Sequence, residues 1–289
     1  KALGISGDWE SAYLTFTPQY EAGIIEVFGK LVEKGYVYRS LKPIHWCMQC
    51  ETALAEAELE HQDKTSPSIY VNFKLIDTPK DIFPEIQDED AHMLIWTTTP
   101  WTLPANLAIA VHPEFQYTAV RYINPKTQKK QVSIVAEDLA DSVMKLQEIE
   151  EYERLGSVKG SSLECLKYQH TIMKREGSVV LANYVTLTDG TGCVHTAPGH
   201  GQDDYQTGLK YKMPIVSPVD ATGIFTEEAG DFAGLNIYDA NKIIAEKLDE
   251  LGLMLHLDKI NHSYPHCWRC RKPVIFRATE QWFVGIDHK

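Results

Sequence analysis

Among its 289 residues the sequence has no apolar run that approaches the length of a membrane span, so no transmembrane helix is expected. Its first residues, KALGISGDWE, lack the charged, apolar and small-residue layout of a secretory signal. The expected compartment is the cytoplasm, or an organelle matrix after removal of a targeting segment. Lys1 without an initiator Met reads as a fragment of a longer protein. Basic charge is short: 28 Lys and Arg against 40 Asp and Glu leave a net charge of −12. That excludes a general-purpose nucleic-acid binder, whose affinity comes from neutralising phosphates, and leaves room for a local contact. Basic residues gather within 124–130, at Lys174 and Arg175, at Lys210 and Lys212, and at Arg269, Arg271 and Lys272, and the plain reading of each is a solvated face. There is no internal repeat or low-complexity segment, and nothing points to an obligate dimer, so a monomer is expected.

Cysteine is too sparse for a secreted disulfide scaffold, at six in the chain, but its arrangement is informative. Cys47 and Cys50 form one CxxC (HWCMQC) and Cys267 and Cys270 another (PHCWRC). Two such knuckles supply the four thiolates of a closed tetrahedral structural zinc site. A redox CxxC is the competing reading, without a thioredoxin-like surrounding to support it. His45 and His266 adjoin the knuckles and read as neighbours rather than ligands. A metal joining the pairs pins the two ends together and divides the chain into residues 1–65 (a helix and the first knuckle), 66–258 (an inserted body) and 259–289 (a returning strand and the second knuckle).

The first helix is marked by Thr17 as N-cap, Pro18 at the first helical position, Ile24, Phe28 and Leu31 on one face, and Gly35 as the stop. ETALAEAELEH is ambiguous between helix and strand. From Ser68 onward SIYVNFKL, HMLIWTT, NLAIAVH, FQYTAVRY, QVSIVA and SVVLANYVTLT read as strands. EDLADSVMKLQE, with Leu139, Val143 and Leu146 on one face, and YDANKIIAEKLDELG read as helices. The expected fold is α+β, mainly β: a curved sheet or β-barrel with flanking helices on a zinc-ribbon stalk.

Two segments stand out. WTTTPWTLPAN, Trp96 to Asn106, crowds threonines beside two prolines where a strand must end, and such an end suits a small polar ligand. GTGCVHTAPGHGQDDYQTGLKY has glycines without dinucleotide or P-loop spacing, a strand carrying His195, and Asp203 and Asp204 opening a helix. One carboxylate at a helix N-terminus complements the dipole; two are more than that needs.

Together with KPIHWCMQCETALAEAELE and YPHCWRCRKPVIFRATEQWFV, these segments resemble the bacterial-type isoleucyl-tRNA synthetases, in the connective insertion that splits their class I catalytic domain. The resemblance spans nearly the whole chain. Valyl and leucyl relatives typically read Thr-Thr-Arg-Pro-Glu-Thr at the threonine segment, so Thr99 and Trp101 favour the isoleucyl type. HIGH and KMSKS do not occur, so the nucleotide-binding catalytic fold is not included and ATP belongs only to the full-length enzyme.

The resemblance implies an editing domain that hydrolyses valyl-tRNA(Ile) and excludes isoleucyl-tRNA(Ile) by size. Its partners would be the tRNA(Ile) acceptor end carrying valine and the remainder of the synthetase. Carried over by motif, Thr97, Thr98 and Thr99 would hold the ester and position water, Asp204 would pair with the α-ammonium, and His195 would gate by size or order water. Thr102, Asn106, Trp101, Gly199 and His200 would bind or brace the substrate. Structural zinc on Cys47, Cys50, Cys267 and Cys270 is expected, and no catalytic metal. The alternatives are a zinc-stapled acceptor-end docking module without activity, a metal hydrolase using His195, His200, Asp203 and Asp204, and a Cys193–His195 nucleophile and base.

Overall fold

The computed structural model describes residues 4, 6–8 and 10–286, and the expectations for Lys1 and for the last residues of the returning segment fall outside them. In chain order the strands are β1 (Val37–Cys47), β2 (Thr52–Leu54), β3 (Leu59–Lys74), β4 (Asp90–Thr97), β5 (Ala108–Val111), β6 (Gln116–Ile123), β7 (Lys130–Ala136), β8 (Tyr152–Lys159), β9 (Lys167–Gln169), β10 (Glu176–Leu181), β11 (Cys193–Thr196), β12 (Met254–Cys267) and β13 (Ile275–Val284). The helices are α1 (Pro18–Glu33), α2 (Ala140–Leu146), α3 (Gln202–Lys210) and α4 (Ile237–Glu250). None of them is long and apolar enough to cross a membrane.

Two compact units divide the chain: residues 1–41 with 280–289, and residues 42–279. In the first, Thr17 caps α1 by accepting from the Tyr20 amide, Pro18 needs no donor at the first position, and Gly35 leaves the helix with a φ of 72°. No residue of α1 is buried; Ile24 and Phe28, expected on a packed face, are 58% and 42% exposed. Phe28 meets Trp282 edge to face, Tyr38 stacks on Phe283, and Arg39 pairs with Glu280.

The larger unit is a curled half-barrel. Its sheet runs β8-β6-β7-β4-β11-β5-β10-β9, with β3 paired to β4 and β12 paired to β3. Both faces are covered, which is why its strands read as apolar runs rather than clean alternation. Ile69, Val71 and Phe73 of β3, and Leu75 just past its end, enter the inner core with Ile237, Ala240, Ile244 and Leu248 of α4. Tyr70, Leu94, Val120 and Val135 point the other way, against Ala140, Val143 and Met144 of α2. β3 and β12 pair antiparallel from Val71 and Met254 to Leu59 and Cys267, and so carry the second cysteine knuckle back to the first. The β1–β2 hairpin presents Cys47 opposite Thr52.

Several elements differ from the sequence reading. ETALAEAELEH is neither one helix nor one strand: β2, a 3₁₀ turn over Glu56–Glu58 and the start of β3 follow one another, with Glu58 accepting from the Ala55 amide at 3.0 Å. The strand expected through SVVLANYVTLT stops at Leu181, because its partner β5 ends at Val111. The helix at EDLADSVMKLQE shortens to Ala140–Leu146, and Leu146 stays 39% exposed. β8, mostly exposed at the sheet edge, carries too few apolar residues to be read as a strand.

Candidate active site

β4 and β11 run parallel with Val194 beside Trp96, so Thr97 and His195 emerge at the same end of the sheet. Past Thr97 the chain enters a 3₁₀ turn, Pro100–Ala105, all of it buried. The turn is closed from within by hydroxyls. Thr97 Oγ1 accepts from the Thr99 amide at 3.1 Å, and Thr102 Oγ1 donates to the Thr99 carbonyl at 2.8 Å. The Oγ1 atoms of Thr97 and Thr99, and of Thr99 and Thr102, lie 3.3 Å apart. From outside, the Trp101 amide donates to Asn241 Oδ1, His170 Nε2 donates to the Leu103 carbonyl, and Arg175 donates to the Pro104 carbonyl. Pro100 and Pro104 bring no N–H of their own to satisfy, so a buried non-repetitive segment is left with few polar debts.

A cavity of about 340 Å³ opens beside this turn. Thr97, Thr98, Thr99 and Thr102 line one wall, and His195, Ala197, His200 and Asp204 another. The rest is Trp96, Tyr184, Thr186, Thr188, Asp189 and Thr191 with the backbone around Val194. Asn106, Trp101 and Gly199 stand behind the lining. Trp101 meets the His200 ring edge to face at 5.0 Å. Gly199 passes so close to the chain that a Cβ there would lie 2.1 Å from the Val216 carbonyl oxygen, which only glycine permits.

The hydrogen bonds around His195 have one self-consistent polarity. The Ala108 carbonyl, 2.9 Å from Asn106 Nδ2, can only accept, so the amide nitrogen lies on that side and its other hydrogen points at His195 Nδ1, 2.8 Å away. Nδ1 is therefore the acceptor and Nε2 carries the proton, which it donates to Thr102 Oγ1 at 2.9 Å. Burial, with nearby His170, His200 and Arg175, holds the ring's pKa down at about 3, so it is neutral. With both nitrogens engaged, the ring is a wall and has no lone pair to offer a water.

His200 differs. Its Nδ1 donates to the Phe276 carbonyl at 2.9 Å, burial lowers its pKa to about 4, and its Nε2 has no partner among the described residues. Asp204, in the first turn of α3, accepts from the Ala197 amide at 2.8 Å; burial raises its pKa to about 6 against that bond, and neighbouring Asp203 adds to the rise. Asp203 itself is exposed. Cys193 is 2% exposed, its thiol pushed up by burial and directed at the Ile134 carbonyl, so it is not paired with His195.

The four sulfurs of Cys47, Cys50, Cys267 and Cys270 all lie within 4.8 Å of one another. Tetrahedral thiolates around zinc sit about 3.8 Å apart given Zn–S bonds of about 2.3 Å, so the donor set could hold such a metal. Each knuckle closes on a left-handed residue just past its second cysteine, Glu51 at a φ of 48° and Arg271 at 60°. Among the described residues no other group of His, Cys, Asp and Glu converges in this way; the donors of His195, His200, Asp203 and Asp204 do not, and neither His45 nor His266 joins the cysteines.

The family model for class I tRNA synthetases (I, L, M and V) matches residues 1–288. The chain belongs to that family. It is 54% identical to the isoleucine–tRNA ligase of Kosmotoga olearia over 99% of this chain and 29% of that one, and 53% identical to the isoleucine–tRNA ligase of Carboxydothermus hydrogenoformans over 99% and 30%. The chain thus spans about three tenths of the length of the curated relatives it matches. Among solved structures it resembles the P. knowlesi cytosolic leucyl-tRNA synthetase editing domain, with a TM-score of 0.54 and 12% identity over 68% of this chain and 97% of that one. It also resembles GlLeuRS-CP1, with a TM-score of 0.53 and 18% identity over 66% and 98%. At these identities the likeness is one of fold.

Within this family fold, the motif residues Thr97, Thr98, Thr99, Thr102, His195, His200 and Asp204 meet at one cavity. Tyr184, Thr186, Thr188, Asp189 and Thr191 were not anticipated there. Their signal was the hydroxyl-rich NYVTLTDGTG leading into glycines, which resembles a strand in its alternation and hid a loop.

Proposed function

We propose that this chain is the editing part of an isoleucyl-tRNA synthetase, hydrolysing the ester of valyl-tRNA(Ile) and sparing isoleucyl-tRNA(Ile). A hydrophobic synthetic site gains only about 1–3 kcal/mol from one methylene, isoleucyl-tRNA synthetase being the standard illustration of that limit, so a second site that reads size is needed. The observation that carries the proposal is the fixed His195 ring, bonded to Thr102 and Asn106, which lines a cavity of about 340 Å³ together with Thr97, Thr98, Thr99 and Asp204. Valine fits against a rigid wall that isoleucine would have to displace. Asp204 anchors the α-ammonium of the amino acid, and Thr97, Thr98 and Thr99 hold the ester and the attacking water. Water adds to the ester carbonyl, the threonine segment supplies donors to the oxyanion, and collapse expels the ribose oxygen, which takes up a proton. The ester is already activated, so no protein nucleophile is required.

Cys47, Cys50, Cys267 and Cys270 hold a structural zinc in this reading, joining residues 1–65 and 259–289 into a stalk for the body at 66–258. The partners are the charged acceptor end of tRNA(Ile) and the remainder of a longer synthetase chain. Single-turnover deacylation of valyl- and isoleucyl-tRNA(Ile) by excess full-length protein tests the proposal. Saturable hydrolysis selective for the valyl ester is expected; no hydrolysis of either ester at saturation would leave an acceptor-end docking module.

A further inference from the structure

Behind the His195 wall the hydrogen bonds continue to a residue that no motif marks. Tyr168, on β9, donates its hydroxyl proton to Asn106 Oδ1 at 2.6 Å, and Asn106 in turn donates to His195 Nδ1 at 2.8 Å. Tyr168 and Asn106 are 0% and 1% exposed, so neither bond is shared with solvent. The Tyr168 ring lies flat across β10 opposite Gly177, where a Cβ would come within 2.1 Å of it, and it packs edge to face on Phe73 at 5.2 Å. Packing therefore places the ring, and the hydroxyl is left for one task.

We propose that Tyr168 is a positioning residue for selectivity: its hydroxyl holds the Asn106 amide in place, and through that amide it holds the orientation of the His195 ring. The inference rests on the size-gate reading of His195 above. Without the hydroxyl, Asn106 Oδ1 is buried with no donor, and the amide cannot repair this by turning over, because that would set its oxygen against the Ala108 carbonyl; it is left held from one side only. Its bond to His195 Nδ1 then loses its fixed geometry, and the ring gains freedom to tilt about its remaining bond to Thr102 Oγ1. The wall therefore loosens from a single deleted oxygen, while the Thr102 bond to the Thr99 carbonyl stays in place. The isoleucyl ester, kept out only by that wall, should gain more than the valyl ester loses.

The test compares full-length wild type with Tyr168→Phe, which keeps the ring. Single-turnover hydrolysis of valyl- and isoleucyl-tRNA(Ile) is expected to show the valyl-to-isoleucyl rate ratio falling roughly 3- to 10-fold, the equivalent of one neutral buried hydrogen bond. On a His195→Ala background the same substitution should leave the ratio unchanged, which a general loss of stability would not do. Nitrogen-15 spectra of the histidines supply a readout independent of catalysis: His195 should be protonated at Nε2 in both proteins, with the Nδ1 signal, which the bond from Asn106 sets, shifted or broadened in Tyr168→Phe. An Nδ1-protonated His195 in wild type, or an Nδ1 signal unchanged in the folded variant, overturns the inference whatever the ratio does. An unchanged rate ratio overturns it as well. If wild type hydrolyses neither ester, the editing proposal fails, while the spectra still decide whether Tyr168 sets the ring.

Discussion

Thr102 Oγ1 and His195 Nε2 lie 2.9 Å apart, and this contact ties the threonine turn after β4 to the wall on β11. Thr102→Val keeps the shape and removes the acceptor, leaving a buried imidazole N–H without a partner. A loss of stability of about 1–3 kcal/mol is expected. Urea denaturation of wild type and variant measures it, and equal midpoints would mean that the ring finds another acceptor.

Asp204 sits where burial opposes its charge, with a pKa raised to about 6 from an ordinary 3.8. A carboxyl whose folded-state pKa is raised favours the native state at low pH and costs stability as pH rises through the folded value. Asp204→Asn should therefore cut deacylation to a residual rate yet raise stability at pH 8, by at most about 3 kcal/mol for a shift of roughly two pH units. Thermal melts at pH 8 and pH 4.5 check the sign: the gain should be clearly larger at the higher pH.

The same carboxylate predicts the pH profile. His195 and His200, held near 3 and 4, stay neutral across the working range, so neither produces an inflection above pH 5. Asp204 must be ionised to hold an ammonium. The single-turnover rate on the valyl ester should rise with pH through about 6, and this rise should be absent from the residual activity of Asp204→Asn.

Removal of the metal expected on the four cysteines should act on stability first. Metal analysis should find about one zinc per chain in wild type and less in Cys267→Ser. Melting temperature should fall with the metal content. A full complement of zinc in Cys267→Ser would remove that residue from the ligand set.

Gly177→Ala would place a Cβ 2.1 Å from the Tyr168 ring, so the ring or β10 must move. Overpacking of this kind costs about 1–3 kcal/mol. A denaturation midpoint unchanged from wild type would mean that the two strands separate more easily than their register suggests.

Much of the site was legible because its chemistry is local in sequence. WTTTPWTLPAN and GTGCVHTAPGHGQDD each hold several lining residues, and the parallel pairing of β4 with β11 brings the two segments together. The cysteine knuckles were legible because a metal demands four donors at fixed spacing. What was hidden depends on pairing between distant segments. Tyr168 reads as an ordinary strand aromatic until β9 meets β10, and the loop at Tyr184 to Asp189 alternates like a strand until its partner β5 runs out at Val111. α1 misled for a related reason: its apolar face is well formed in sequence, yet nothing among the described residues buries it.

The central claim is that a fixed imidazole excludes isoleucine. Single-turnover hydrolysis of isoleucyl-tRNA(Ile) by full-length His195→Ala measures it most directly. The account predicts that this ester, spared by wild type, is hydrolysed by the variant at a rate approaching that on the valyl ester. Continued sparing of isoleucyl-tRNA(Ile), with valyl hydrolysis intact, would contradict it and place the size limit elsewhere in the cavity.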